Sequence, residues 1–336
     1  QTIFVSLDNT GPKDGNEWRS TLGYQYGNLF NKDHSVTATL TFAPEEPSET
    51  RQIGVSYHIP MYEHGANLDF LLSDSELSSG EVADDISING AGSVFGMTYS
   101  RPILTGSNLN HQWSAGLQFK SYENNLEIGI NSLSSEVQSF PLELGYSFDY
   151  SAKSSVISGS LAWVSNIESG SKNSDDAYGQ LRAGALADWS ALRFNLGYDL
   201  FFGAEKSWTF HAGLAGQNSS DYLISGEQFG VGGSSSLRGF EQRSVTGDSG
   251  HQISLELWMP PVAGIRFLAF VDQASLEFND GDQTDLSSAG VGLRWGWKQQ
   301  LSVALDYGKI NEGGGPDDTI NQDGDDKAHF SLIYRF

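Results

Sequence analysis

One stretch of this chain gathers residue types suited to a specific task. It is Gly226 to Gly250, GEQFGVGGSSSLRGFEQRSVTGDSG, with Leu237-Arg238-Gly239-Phe240 inside it. Gly230, Gly232 and Gly233 suggest turns that a residue with a β-carbon tolerates poorly. Arg238 and Phe240 read as a tip that packs against something. A structureless loop this long in an otherwise regular β chain is usually functional or disordered. Other chemistry is sparse. The 7 histidines are scattered, and neither H-E-x-x-H nor G-x-S-x-G occurs. No nucleophile is paired with a base, so neither an enzyme nor a cofactor is expected. Asn321-Gln322-Asp323-Gly324-Asp325-Asp326 has calcium-like carboxylate spacing but lacks the full twelve-residue pattern. It reads as a solvated loop, and no metal is assigned.

Bulk composition narrows the class. The 336 residues include no cysteine and carry a formal charge of −23. Absence of cysteine excludes thiol nucleophiles, disulfide frameworks and Cys-ligated zinc, and it suits an oxidising compartment. The acidic balance argues against a nucleic-acid partner, which demands a basic footprint. No apolar run approaches the roughly 18–20 residues of a membrane helix. A transmembrane β-barrel stays open, because its signal is alternation rather than bulk hydropathy. The chain opens at Gln1 without a signal peptide, so any export signal is expected outside it.

The elements around the loop alternate apolar and polar residues. Phe330, Leu332, Tyr334 and Phe336 share one face of the last strand, and period two places such residues together. They read as a C-terminal insertion signal addressed to a barrel-assembly machinery. The pattern recurs from Ile3-Val5-Leu7 onward through Leu301-Val303-Leu305-Tyr307. Opposite faces carry glycine and polar residues, among them Glu256, Arg294 and Asp306, read as lumen-facing. Tyr and Trp sit toward the ends of many segments, as interfacial girdles would place them. Against a soluble sandwich, this favours an all-β, 16-stranded antiparallel transmembrane β-barrel. Leu181, Ala183, Ala185 and Ala187 could form an extra strand or a bulged extension of the tenth; even counts are the rule in bacterial barrels. Short turns (His64-Gly65, Ala152-Lys153, Lys298–Gln300) are expected at the periplasm. Long, mostly acidic connections such as Ser73–Asn89, Glu123–Gln138, Ser165–Ala177 and Gly308–Lys327 are expected outside. Both termini are then periplasmic, and outer-membrane lipid and lipopolysaccharide surround the barrel.

The sequence Leu237-Arg238-Gly239-Phe240 resembles the [VL]RG[FY] signature of the Omp85 superfamily. Glu227-Gln228-Phe229, Gly232-Gly233 and Gly247-Asp248-Ser249-Gly250 look like the two-partner secretion transporters, the TpsB family. Leu7-Asp8-Asn9-Thr10-Gly11, Val55 to Pro60 and Phe270-Val271-Asp272-Gln273-Ala274 extend the likeness over the whole chain. In the last of these Ala274 replaces the family's glycine. The resemblance implies a loop, about 219–250, folded back into the lumen, with Arg238 paired to Asp272 on strand thirteen. Alternation independently puts Asp272 on the polar face with Arg266 and Asp306. The family's two periplasmic POTRA domains and plug helix have no counterpart, so residues 1–336 read as one barrel domain.

The function this implies is export of an unfolded partner exoprotein from periplasm to cell surface. Two alternatives are an Omp85-type insertase, which needs an opening seam between first and last strands, and a passive porin.

Overall fold

A computed structural model describes residues 1–12, 16–47, 51–75, 79–83, 86–89, 92–103, 106, 108–128, 131–314 and 321–336. Sixteen antiparallel strands form one closed barrel. In chain order they are β1 (Thr2–Asp8), β2 (Arg19–Leu29), β3 (His34–Phe42), β4 (Arg51–Met61), β5 (Ala66–Ser75) and β6 (Gly92–Ile103). Next come β7 (Leu109–Ile128), β8 (Asn131–Ser139 and Pro141–Ser151, interrupted at Phe140), β9 (Ser155–Asn166), β10 (Ser190–Phe202) and β11 (Trp208–Asn218). The last are β12 (Ser249–Trp258), β13 (Ile265–Glu277), β14 (Gln283–Trp297), β15 (Leu301–Glu312) and β16 (Asp326–Arg335). Each pairs with its chain neighbour, and β1 closes on β16 from Phe4↔Arg335 to Asp8↔Ser331. Among the described residues, closure gives every barrel strand a partner on both sides, which the hydrocarbon core requires.

The seam is extended beyond its last ladder pair by a side chain. Asn9 donates from Nδ2 to the Ala328 carbonyl at 2.7 Å and accepts at Oδ1 from Phe330 N at 2.7 Å. Its carboxamide thus serves as one more peptide group.

Register sorts the two faces. Leu22 pairs with Leu40 and Leu40 with Ile53, and all three are exposed on the outside. Phe95, Trp113, Leu144, Leu161, Leu255, Val271 and Val291 are likewise exposed and apolar. A soluble protein would not leave so large an apolar belt in water; a bilayer removes the cost. Val5↔Tyr334 and Leu7↔Leu332 place the C-terminal apolar residues on this outer face, with Phe330 edge-on to Trp18 and Tyr334 edge-on to Phe336. No described helix is long and apolar enough to cross a membrane; the strands do so.

Short hairpins mark one end. Trp297 and Gln300 close a two-residue turn (Gln300 N to Trp297 O, 3.0 Å), with Lys298 at φ 50° and Gln299 at φ 60°. Such turns match strand twist but favour Asn-Gly. Left-handed backbone strains a residue with a β-carbon. Gln299→Gly is therefore expected to stabilise the barrel by about 1 kcal/mol, read as a raised urea midpoint in detergent.

Four expectations need correction, and parts of four expected outer loops (48–50 of Glu45–Thr50, 76–78 and 84–85 of Ser73–Asn89, 129–130 of Glu123–Gln138, 315–320 of Gly308–Lys327) lie outside the described residues. Glu123–Gln138 is largely not a loop: β7 and the first half of β8 continue through it as a hairpin, Asn131↔Ile128 to Ser139↔Lys120. Ser73–Asn89 likewise holds the end of β5 and a small hairpin, Ser79–Ala83 with Ile86–Asn89. Residues 181–189 form no strand. Helix α1 (Asp175–Leu181), capped by Ser174, leads into coil whose Ala185, Ala187 and Trp189 are buried with Tyr178, Val137, Val164, Leu223 and Ile224. The alternation there records burial in this outer apolar core, not a pleat. Gly250, expected in the loop, is a residue of β12.

Candidate functional site: a loop fastened across the lumen

The connection from β11 to β12 turns back into the barrel. Near its root it pairs with itself, Phe229↔Gly247 to Val231↔Val245. Gly232 (φ 119°) and Gly233 (φ 96°) then turn the chain, because a β-carbon at Gly232 would lie 2.1 Å from the Glu241 carbonyl oxygen.

At the tip, Arg238 is almost fully enclosed. Its Nε and Nη2 donate to the two oxygens of Asp272, both at 2.7 Å, and its backbone N donates to Oδ2 at 3.1 Å. Nη1 reaches Glu256 at 2.5 Å and Nη2 reaches Ser254 at 2.9 Å, while Ser254 donates to Asp272 at 2.6 Å. The guanidinium also lies 3.6 Å from the Phe270 ring centroid. A fork-to-fork pair removed from water, with its remaining donors satisfied, is held in one geometry. One arginine facing two carboxylates leaves the site with excess negative charge.

Bare backbone makes room for this contact. Gly290 and Gly308 are paired across β14 and β15. A β-carbon on Gly290 would lie 2.5 Å from the Phe270 ring, and one on Gly308 would lie 2.7 Å from Gly239 N. Gly239 itself sits at φ 97°, and its N–H donates to His329 Nε2 at 2.9 Å. That nitrogen must be unprotonated to accept. Leu237 and Phe240 flank the arginine and enter an apolar patch on the inner wall with Val231, Ala274, Leu276, Leu286 and Ile310. Ala274 is part of that patch.

Glu256 continues the network downward by accepting from Trp258 Nε1 at 2.6 Å. Arg266 and Arg294 lie at 5.4 and 5.5 Å from the Trp258 ring. Arg294 and Asp306 form a second bidentate pair at 2.7 and 2.8 Å, over Gly292, where any β-carbon would strike Asp306. Glu256, Arg294 and Asp306 therefore stand on the lumen side as one wall network with Arg238 and Asp272.

Gly247 and Asp248 serve the root. Asp248 accepts from Arg182 Nη1 and, at 2.8 Å, from Nη2. It also accepts from Leu223 N and Asn279 N, each at 3.0 Å. Burial would raise this carboxyl, but those donors outweigh burial and hold it below the usual carboxylate range. In the described part of the stretch after β15, Asp323 accepts from Gly313 N and Asp325 from Gln322 N within its own turns, while Asn321 accepts from Glu241 N of the lumen loop.

Sequence reasoning missed the strongest contact at the root. Glu227, fully buried, accepts from Ser139 Oγ at 2.7 Å, Tyr122 OH at 2.8 Å, Lys120 Nζ at 3.1 Å and Arg193 Nη2 at 3.3 Å. The available signal was two cations, Lys120 and Arg193, on inward-facing positions whose same-face neighbours two residues away (Gln118 and Tyr122, Ala191 and Asn195) are not acidic. Burial would raise the Glu227 carboxyl, yet Lys120 and Arg193 dominate and hold it at about 2. A carboxyl depressed in the fold contributes stability above its unfolded value of about 4.3 and loses it as pH falls through the folded value. The root is thus expected to stay seated from pH 8 to 5. It should lose on the order of 3 kcal/mol between pH 4.5 and 2, read as loop protease sensitivity at stepped pH.

An outward apolar belt on sixteen closed strands, with a lumen crossed by an inward-folded loop, defines an outer-membrane β-barrel occupied by its own polypeptide. The chain belongs to the haemolysin secretion/activation protein family ShlB/FhaC/HecB, whose model matches residues 2–295. It is 29% identical over 117 residues to the outer membrane transporter CdiB of Dickeya dadantii, covering 33% of this chain and 20% of that protein. Among solved structures, CdiB from Escherichia coli superposes at a TM-score of 0.78 with 15% identity, over 100% of this chain and 62% of the other. CdiB from Acinetobacter baumannii gives 0.75 at 19%, over 100% and 60%. BamA from Haemophilus ducreyi lacking POTRA domains 1–3 gives 0.65 at 16%, over 99% and 70%. At such identities the structural likeness speaks for the fold. The chain spans about three-fifths of the CdiB structures it matches.

Proposed function

We propose that this barrel is the translocation unit of a two-partner secretion system. An unfolded exoprotein would cross its lumen from periplasm to cell surface without nucleotide hydrolysis. The observation that carries this reading is the asymmetry of the inner wall. Where the loop lies, inward residues are closed off: Asp272, Ser288, Phe270 and Asp306 are all buried. Across the lumen, the rows Gln25↔Thr37↔Ser56 and Gly23↔Thr39↔Gly54 face inward, and Thr37, Thr39 and Ser56 keep partial exposure. His58 and Asp69 pair beside them at 2.7 Å, both well exposed. Below the loop tip a cavity of about 230 Å³ is bordered by Asn195, His211, Ser234 and Gln252. Hydroxyls and carboxamides both donate and accept, so such a wall can exchange hydrogen bonds with a passing backbone without trapping it as a fixed charge would.

The orientation follows from loop lengths. The end with tight turns, which carries both termini, faces the periplasm, where the exoprotein enters. Membrane lipid, lipopolysaccharide and, during biogenesis, the assembly machinery that reads the C-terminal aromatic are the other partners. No catalytic step or cofactor belongs to this scheme.

Deleting the gene is expected to remove one large exoprotein from the cell surface and medium while other outer-membrane proteins keep their levels. A general loss of barrels would favour the insertase reading; an unchanged set of exported proteins with reduced solute uptake would favour the porin. A photo-crosslinking residue at Thr39 or Ser56 is expected to capture the exoprotein in transit, and one at Ser288 is not.

A further inference from the structure

The loop is fastened at two places with opposite charge sense. At the tip a loop cation, Arg238, enters an acidic wall. At the root a loop anion, Glu227, enters a basic one. The two places also differ in how they are built. Glu227 is reached from three strands, by Lys120 and Tyr122 of β7, Ser139 of β8 and Arg193 of β10, and its backbone oxygen accepts from Gln217 of β11 at 3.1 Å. The same Gln217 amide donates to the Asp248 carbonyl at 3.1 Å, which ties the two ends of the loop to one residue. Arg243 cross-links the limbs by donating to the carbonyls of Ser225 and Gln228 at 3.0 and 2.8 Å. Leu223 and Ile224, just ahead of Glu227, are buried in the outer apolar core. The root is therefore a small folded unit of its own. Beyond it hangs the segment from Gly233 to Gln242, entered through Gly232 and Gly233, both at positive φ. Hinges are a few such positions that absorb large changes in backbone angle.

We propose that Glu227 is the fixed pivot of the loop. When the tip lets go of Asp272, residues 233–242 swing as an arm, while the root, Arg243 included, stays on β7 to β11. Any clearing of the lumen then requires only the tip contacts to break, and the Glu227 contacts guide the arm back to its seat. Glu227 is thus a positioning residue that acts through Arg238. The inference concerns motion within the molecule and holds independently of what crosses the lumen.

The test uses the whole barrel in detergent or in outer-membrane vesicles. The chain has no cysteine, so introduced ones are labelled uniquely. One nitroxide goes on His64→Cys, in an exposed hairpin turn, and a second on Ser225→Cys at the root or Ser235→Cys at the arm, both exposed positions. Pulsed dipolar distances are expected to be narrow for both pairs in the parent. Asp272→Ala should broaden or lengthen the Ser235 distance and leave the Ser225 distance narrow. Glu227→Gln, and independently Lys120→Met from the barrel side, should broaden the Ser225 distance. Heat-modifiable gel mobility identifies variants that retain the barrel. Three results overturn the proposal: Asp272→Ala broadening both pairs alike, Asp272→Ala broadening neither, or Ser225 staying narrow in both Glu227→Gln and Lys120→Met. Because no exoprotein enters the assay, failure here and failure of export are separate outcomes.

Discussion

Alanine at Arg238 is expected to reduce export at least tenfold while the barrel still folds and inserts. The substitution strands two carboxylates: Asp272 is fully buried and Glu256 partly so. Removing one partner of a buried ion pair typically costs about 3–5 kcal/mol. At about 1.4 kcal/mol per decade, that shifts loop seating by about two to three and a half orders of magnitude. The barrel ladder itself loses nothing, since no strand hydrogen bond involves the arginine side chain. Two further variants separate charge from geometry. Arg238→Lys keeps the charge but loses the planar fork, and is expected to fall between parent and alanine. The double variant Arg238→Ala with Asp272→Ala should be less damaging than the sum of the two, because the more deeply buried of the two stranded charges is gone. Exoprotein in the medium and heat-modifiable mobility of the barrel are the measurements. Parental export from both single variants would take this contact out of the mechanism.

Valine at Gly308 should produce a similar defect without touching any charge. A β-carbon there would sit 2.7 Å from Gly239 N and 2.8 Å from the Arg238 carbonyl carbon. Both are backbone atoms of the loop tip, so no side chain can rotate out of the way. The strand suffers little, because valine is a good strand former. The clash is therefore relieved by lifting Arg238 off Asp272, and export is expected to fall at least as far as in Arg238→Ala. Gly96, inward on β6, serves as the control. A β-carbon there meets Leu71 and Gln118 at 3.6 and 3.8 Å, ordinary contact distances, so Gly96→Ala is expected to export normally. A seated loop and normal export in Gly308→Val would show that the tip does not press on this backbone as described.

The root of the loop shows the limit of reading along the chain. Glu227 stands in a stretch that drew attention as part of a motif, yet nothing near it in sequence indicates a buried carboxylate. Its donors Lys120 and Ser139 lie 107 and 88 residues away. Arg182 likewise finds Asp248 across 66 residues. The coil after α1 misled for a related reason: Ala183, Ala185 and Ala187 alternate as a strand would, but Ala183 is exposed and only Ala185 and Ala187 pack with Tyr178 and Trp189. The long hairpin of β7 and β8 reads as a loop in sequence because Asn, Glu and Ser dominate residues 121–139 and leave only the short alternation Leu126, Ile128, Ile130 to mark a strand.

Sequence alone was sufficient for what each residue decides locally. Alternation at period two assigned every strand a lipid side and a wet side, because bilayer and water sort residues one at a time. It also indicated a long eleven-to-twelve connection and an inward-facing Asp272, and left sixteen or seventeen strands, between which the even count of bacterial barrels chose sixteen. What only the tertiary structure decided were the meetings that barrel closure and stagger bring about: Glu227 among Lys120, Tyr122, Ser139 and Arg193, and Gly239 against the bare backbone of Gly308. Those contacts join strands and a loop distant along the chain, so their geometry exists only once the sheet has closed.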